Sequence, residues 1–300
     1  MLKIKKSICV LVAVSAIYSC GSQKAITSKI EVQGHRGDRG NFPENSIPAF
    51  LSAVKKGVDV LELDVVISKD QKVVVSHEPF MSSLYMSDSE GKPISKEKEK
   101  SFNLYEMTYD SIRKFDSGSR GNANFPQQQK QKTYKPLLSE VITNVEAYIA
   151  KNNLKPVRYN IEIKSEKAEY GKTQPNPEVF TEMVMQIIKE KGIEQKINIQ
   201  SFDPTVLNVM HNKFPKVKMA YLVGEGSISK NLSLLDFKPE IYSPHYKLLN
   251  KNAVDSLRFL KMKIIPWTVN DDKAIDNMIQ LQVDGIITDY PERVLKKAVL

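Results

Sequence analysis

From Leu137 onward the chain alternates short aliphatic runs with longer stretches whose apolar residues recur at helical spacing. That alternation restricts the fold more than any other feature. Val157–Ile163, Ile197–Gln200, Val217–Val223, Ile241–Ser243, Lys263–Trp267 and Gly285–Ile287 read as strands. Helices are predicted over Leu137–Ala150, Pro177–Lys191 (closed by Gly192), Pro204–Lys213, Lys251–Met262 and Asp271–Gln280. Strands separated by helices of roughly 10–15 residues imply a parallel sheet. A chain of 300 residues with 41% hydrophobic content accommodates one α/β barrel of roughly 250 residues. In such a barrel the ends of the strands converge on one mouth, where the chemistry is kept.

The first part of the chain follows the same pattern less regularly. Ile30–Gln33 is a first strand, Asp38–Asn41 a turn over the mouth, and Ser46 a candidate N-cap. Ile47–Lys56 has helical spacing with Ala49, Phe50, Ala53 and Val54 facing inward, and Gly57 ends it. Val58–Ile67 and Lys72–His77 are further strands, joined by a link too short for a helix. Nine candidate strands thus compete for eight places. One unit must be irregular, and the 68–71 link is the suspect, although the sequence leaves open which run is the extra one. Between Glu78 and Lys135 the alternation breaks, and a segment this long reads as an insertion rather than a structureless loop. Ser95–Lys100 within it reads as a solvated face without function.

The N-terminus carries targeting features. Lys3-Ile4-Lys5-Lys6 is a basic start, and Ser7–Tyr18 is an apolar run too short to span a bilayer as a mature helix. Ser19-Cys20-Gly21 follows, similar to a bacterial lipoprotein signal in which Cys20 is lipidated. The alternative is an ordinary secretory signal with an incidental cysteine. The expected organisation is a signal over 1–20, a tether over 21–29 and a barrel over 30–300 with an insertion at about 80–135. The lipoprotein reading implies an exported, membrane-anchored protein on the periplasmic side or cell surface. Cys9 and Cys20 are the only cysteines, so the globular part has no disulfide, thiol nucleophile or zinc-thiolate site. The net charge of +9 includes Lys3, Lys5 and Lys6. The other lysines are scattered among acidic residues, and no basic helix or RNA-binding motif supports a nucleic-acid partner.

Chemistry concentrates where the early strands end. His35-Arg36-Gly37 follows the first strand, Glu62-Leu63-Asp64 lies in the second, and Ser76-His77-Glu78 ends the third. In a strand Glu62 and Asp64 share a face. Two hard oxygen ligands there suit Ca²⁺ or Mg²⁺ better than zinc. Arg36 offers a planar fork for phosphate oxygens. Two histidines can divide acid and base duty near neutral pH. Each residue alone also has a structural reading, as a buried histidine, a salt-bridging pair, or a core tryptophan at Trp267. Three carboxylates at strand ends, once Glu162 is included, are costly to bury without a cation.

In order along the chain these motifs resemble the glycerophosphodiester phosphodiesterase family. The matches are His35-Arg36-Gly37, Pro43-Glu44-Asn45-Ser46, Glu62-x-Asp64, the strand-ending His77, Asn160–Lys164, Gln200-Ser201-Phe202, Trp267–Asn270 and Gly285–Pro291. The resemblance implies a (β/α)8 TIM barrel with a small insertion after the third strand, in the α/β class. It implies metal-dependent hydrolysis of glycerophosphodiesters to sn-glycerol 3-phosphate and an alcohol. It assigns Glu62, Asp64 and Glu162 to one divalent metal, Ca²⁺ or Mg²⁺, and His35 and His77 to acid/base catalysis. Arg36 and Lys164 would hold phosphate, Glu44 and Asn45 would support the first histidine and the metal region, and Trp267 would wall the glycerol or leaving group. Glu78 departs from the aspartate common in the family. Two other functions remain open. One is a phosphodiesterase for lysophospholipids or glycerophosphoinositol-type substrates, with Phe80, Met81, Leu84, Tyr85 and Met86 as an apolar groove. The other is a lipid-anchored binding protein without turnover.

Overall fold

The computed structural model describes residues 29–298. The expected signal and Cys20, and nearly all of the tether, lie outside the described residues. Nine strands run β1 (Glu31–Gly34), β2 (Val60–Ile67), β3 (Val73–Val75), β4 (Arg158–Ile163), β5 (Ile197–Ser201), β6 (Lys218–Val223), β7 (Ile241–Pro244), β8 (Lys263–Ile264) and β9 (Gly285–Thr288). The helices are α1 (Ile47–Lys56), α2 (Tyr109–Ile112), α3 (Leu138–Asn152), α4 (Pro177–Glu190), α5 (Pro204–Lys213), α6 (Ile228–Leu232), α7 (Lys251–Phe259), α8 (Asp272–Gln280) and α9 (Pro291–Ala298).

Eight strands pair in parallel in the order β8-β7-β6-β5-β4-β2-β1-β9. The ring is nearly closed by backbone bonds between β9 and the segment around β8. Asp284 N donates to Ile264 O at 2.9 Å and Ile287 N to Pro266 O at 3.0 Å. The result is the (β/α)8 barrel that the alternation predicted. The ninth strand is β3, which folds back antiparallel on β2 with Val65 opposite Val75. The 68–71 link is a turn, with Ser68 N accepted by Lys72 O. The short link therefore does mark the irregular unit.

Three details differ from the sequence reading. The expected strand Lys263–Trp267 is regular only over Lys263–Ile264, because Pro266 has no N–H to continue a ladder. Helices α2, α6 and α9 fall where none was predicted, and all are short. The insertion is folded: Met81, Tyr85, Met86, Leu104 and Ile112 are buried with Val66 and Val74 in a small core of their own. Within it Glu99 is 3% exposed and accepts bonds from Ser83 N and Oγ. The 95–100 stretch is therefore not wholly solvated, because one of its carboxylates ties down the insertion's loops.

Alternation sorts the strand side chains. Leu61, Leu63, Val65, Ile161, Ile163 and Ile199 join the main core with Phe50, Val141 and Phe180 from the helices. The opposite faces of β1, β2, β4 and β5 fill the barrel interior with a polar ladder. Asn160 Nδ2 bridges Gln33 Oε1 at 2.8 Å and Gln200 Oε1 at 2.9 Å. The other half of the barrel is apolar inside, with Ala220, Ile241, Ile265 and Ile287 in contact with Trp267. Charge at the mouth is thus supported from below on one side only.

Candidate active site

The turn after β1 sets the first group. Ser46 caps α1, with Oγ accepting from Ala49 N, and brings the chain back over the strand end. Gly37 has φ +85°, and a Cβ there would lie 2.7 Å from the carbonyl carbon of Ala49. Only glycine fits this turn. Arg36 and Asn45 both hold φ of 52°, a costly geometry for residues with side chains. Both face the acidic cluster. Arg36 N donates to Glu62 Oε2 at 2.9 Å, and Asn45 Nδ2 to Asp64 Oδ2 at 2.9 Å.

Sheet register brings the carboxylates together. Asp64 on β2 is opposite Glu162 on β4, and Glu62 lies one residue pair below on the same face. Glu62, Asp64 and Glu162 offer oxygens within 4.8 Å of one another, and all three residues are buried. Gln200 Nε2 donates to Glu62 Oε1 at 2.8 Å, and Lys164 Nζ to Glu162 Oε1 at 2.8 Å. Burial together with the charges of Asp64 and Glu162 pushes the Glu62 carboxyl well above its ordinary range. Burial also raises Glu162, with Asp64 adding to it. Burial would raise Asp64 too, but Arg36, His77 and Lys164 outweigh it and hold that carboxyl down. One oxygen, Asp64 Oδ1, is buried without a hydrogen-bond partner. An orphaned anionic oxygen inside a carboxylate triad fits a hard divalent cation.

Both histidines are held through Nδ1 by carboxylates. His35 Nδ1 lies 2.6 Å from Asp289 Oδ1, and Asn270 Nδ2 donates to Asp289 Oδ2 at 2.7 Å. His77 Nδ1 lies 3.0 Å from Glu78 Oε1, and Tyr85 OH donates to Glu78 Oε2 at 3.1 Å. With Nδ1 committed, Nε2 of each ring is left for substrate. Burial lowers the His35 pKa, despite the opposing charge of Asp289. The two histidines share one cavity of about 220 Å³ with Arg36, Glu62, Glu162, Lys164 and Trp267. Trp267 Nε1 donates to Ser243 O at 2.8 Å, and its ring stands edge-on to Phe202 at 5.3 Å.

The sequence reading needs two corrections here. Glu44 does not support His35. Its oxygens accept from Arg36 Nη1 and Arg39 Nε, each at 2.7 Å, because two guanidinium groups compete for it; Asp289 supports the histidine instead. Of the apolar groove proposed from Phe80, Met81, Leu84, Tyr85 and Met86, only Phe80 and Leu84 remain accessible, since Met81 and Met86 are fully buried and Tyr85 nearly so. Their apolar area is used up in the insertion's own core. Arg39 was also missed. It lines the cavity, and its guanidinium lies 4.5 Å from the Phe125 ring centroid. The Asp289 role had a signal, since the residue directly follows the last strand.

A parallel barrel with a carboxylate triad, two carboxylate-backed histidines and convergent cations at its mouth defines a class of barrel hydrolases acting on phosphate esters. A sequence model of the glycerophosphoryl diester phosphodiesterase family matches residues 35–293. A glycerophosphodiester phosphodiesterase of Caldanaerobacter subterraneus subsp. tengcongensis is 30% identical over 267 residues, covering 89% of this chain and 97% of the relative. A solved Silicibacter pomeroyi structure assigned as a glycerophosphoryl diester phosphodiesterase superposes with a TM-score of 0.81 at 25% identity, covering 91% and 94%. An Oleispira antarctica phosphodiesterase, solved with the product sn-glycerol-3-phosphate, has the same fold, with a TM-score of 0.70, 20% identity and coverage of 90% and 96%. The chain belongs to the glycerophosphoryl diester phosphodiesterase family and is an enzyme of the phosphoric diester hydrolase class.

Proposed function

We propose that this enzyme cleaves small, deacylated glycerophosphodiesters to sn-glycerol 3-phosphate and an alcohol, using His35 and His77 as its acid/base pair. The observation that carries this reading is the placing of two Nδ1-anchored histidines in one cavity with Glu62 and Glu162 of the carboxylate triad. One histidine removes the proton of the attacking oxygen and the other protonates the leaving alcohol. Arg36, Arg39 and Lys164 line the same cavity and neutralise the non-bridging oxygens. Trp267 and Phe202 give the glycerol or leaving group an apolar wall. Glu62, Asp64 and Glu162 would hold one divalent metal, Ca²⁺ or Mg²⁺, and Asn45 would orient Asp64. When bound, that cation would withdraw charge from the phosphate. The small cavity and the closed insertion core favour a soluble substrate over a lysophospholipid.

The proposal extends to location. Cys20 would carry a lipid and hold the enzyme on an exported membrane face. Fatty-acid labelling of wild type and Cys20→Ala tests this; equal absence of label replaces it with simple secretion.

A panel of glycerophosphodiesters and lysophospholipids, assayed with added Ca²⁺, Mg²⁺ or chelator and resolved by product mass, tests the reaction. The expected result is sn-glycerol 3-phosphate from the deacylated substrates, abolished by chelator. Full activity in chelator would remove the metal from the reading, and preference for lysophospholipid would overturn the substrate class.

A further inference from the structure

A (β/α)8 barrel puts every strand start and every helix end on one face, opposite the mouth. Here many of the helix ends are basic. Helices α1, α3, α4, α5, α7 and α9 carry lysine or arginine in the last turn, where positive charge complements the helix dipole. Helices α3, α4, α8 and α9 carry acids in the first turn, at the mouth end. Several of these cations are already paired, Lys56 with Glu292, Arg258 with Asp284 and Lys297 with Asp276.

At the base a second cavity, about 330 Å³, is rimmed by the exposed Lys216, Lys218, Lys261 and Lys263. Arg158 on the same rim is paired with Glu31, and Glu194 and Glu240 also border it. Among the described residues none of the four lysines is in an ion pair. Beside Lys261, at the basal end of α7, Phe259 is 86% exposed. It is an aromatic ring in water two residues from Lys261 in the chain. Unpaired lysines together with an exposed aromatic suit the interface of a bilayer with anionic headgroups, where rings settle at headgroup depth.

The chain enters the barrel on this face, because Lys29 precedes β1 at its N-terminal end. About nine residues separate Cys20 from Lys29, a reach of at most roughly 30 Å. The barrel wall alone is about 22 Å, judged from the 15-residue α3, and the folded insertion stands above it. A tether rooted at the base has only about 8 Å left once it has run the length of that wall.

We infer that the basal face docks on an anionic lipid bilayer through Lys216, Lys218, Lys261, Lys263 and Phe259, with the catalytic mouth turned away from the membrane. This rests on the anchor proposed at Cys20 and sharpens the substrate class. A mouth facing solution meets water-soluble diesters, not lipids in the sheet below.

The test uses the full chain in its exported form, reconstituted on vesicles of phosphatidylcholine alone or mixed with phosphatidylglycerol, with lysines footprinted by an amine reagent. The four basal lysines should label several-fold more slowly on the anionic vesicles, while Lys92 in the insertion is unchanged. High salt should erase the difference. Each lysine near an anionic surface strengthens attachment about fivefold, so changing all four to Gln should weaken partitioning about 100-fold or more. Phe259→Ser should weaken it about tenfold, and neither change should alter turnover of a soluble glycerophosphodiester. The N-terminal peptide mass reports acylation separately. An unacylated chain that still shows the footprint supports the docking face and rejects only the anchor. Equal labelling on both vesicles, protection of Lys92 instead, or basal protection without any vesicle (a second copy on that face) overturns the proposal.

Discussion

His35 Nδ1 and Asp289 Oδ1 lie 2.6 Å apart, although 254 residues separate them in the chain. The barrel makes them neighbours by pairing its first and last strands, with Gly34 opposite Thr288. Asp289 fixes which ring nitrogen of His35 faces the cavity, and it would stabilise the imidazolium during proton transfer. Asp289 also links this site to fold stability.

Asp289 gives the first prediction. Burial would raise its pKa, but the charge of His35, their hydrogen bond and Arg39 outweigh that and hold it down to about 2. A depressed carboxylate contributes stability above its unfolded pKa and loses it as pH falls through the folded value. The contribution, on the order of 2 kcal/mol, should therefore disappear between about pH 4 and pH 2. Asp289→Asn should flatten that part of the unfolding free energy measured in urea. It should also lower kcat by about 10²-fold with little change in KM and move the His35 limb of the pH profile to lower pH. An unaltered profile would leave Asp289 as a purely structural residue.

Most of the fold, and half of the site, was legible in the sequence. The helix α1 was readable because Ser46, the apolar spacing and Gly57 all agree on its limits. Glu62 and Asp64 were readable because period-two alternation puts them on one face without reference to anything distant. The partnerships were not readable. Which carboxylate holds Arg36 depends on a left-handed turn at Arg36 and Asn45 that propensity does not favour. The closing of the Met81–Met86 stretch over its own core depends on Val66 and Val74, which are brought opposite each other because β3 folds back on β2. Such choices are made by packing between distant segments, and local pattern carries no record of them.

Gly37 tests the turn beneath Arg36. Its φ of +85° and the 2.7 Å approach to the Ala49 backbone leave no room for a methyl group. Gly37→Ala should cost about 2–5 kcal/mol, combining left-handed strain with overpacking. For a domain of this size that lowers Tm by roughly 5–15 °C, measurable by calorimetry. A change of less than about 2 °C would mean the turn relaxes freely.

Glu78 reaches His77 Nδ1 at 3.0 Å and Tyr85 OH at 3.1 Å. Lys135 is buried behind it, with Nζ donating to Ser76 Oγ at 2.7 Å. The glutamate side chain is therefore matched to this framework. Glu78→Gln keeps the length and should lower kcat about 10-fold or more through loss of the carboxylate behind the ring. Glu78→Asp keeps the charge but shortens the reach, and should retain more activity than Gln. If Gln matched wild type in kcat, His77 would need no anionic partner.

The last prediction concerns Asp64. Its Oδ2 accepts from Asn45 and lies 3.2 Å from Arg36 Nε, while Oδ1 is buried with no hydrogen-bond partner and only Lys164 Nζ at 3.9 Å. A carboxylate oxygen left bare inside a protein carries a desolvation cost that a cation would offset. Glu62 and Glu162 compound it, because burial and mutual repulsion raise both of their pKa values. Metal-free protein should therefore hold a proton on Glu62 or Glu162 at neutral pH, and metal binding should release it. Calorimetric titration of chelated protein in two buffers of different ionisation enthalpy measures that release directly, without an activity assay. Asp64→Asn preserves shape and removes one charge, so divalent affinity should fall at least about 10-fold while the unfolding midpoint changes little. Lowering the pH should weaken binding in both forms, because the proton competes for the same oxygens. Equal affinity in wild type and Asp64→Asn, with no buffer dependence, would mean that these three carboxylates are not the ligands.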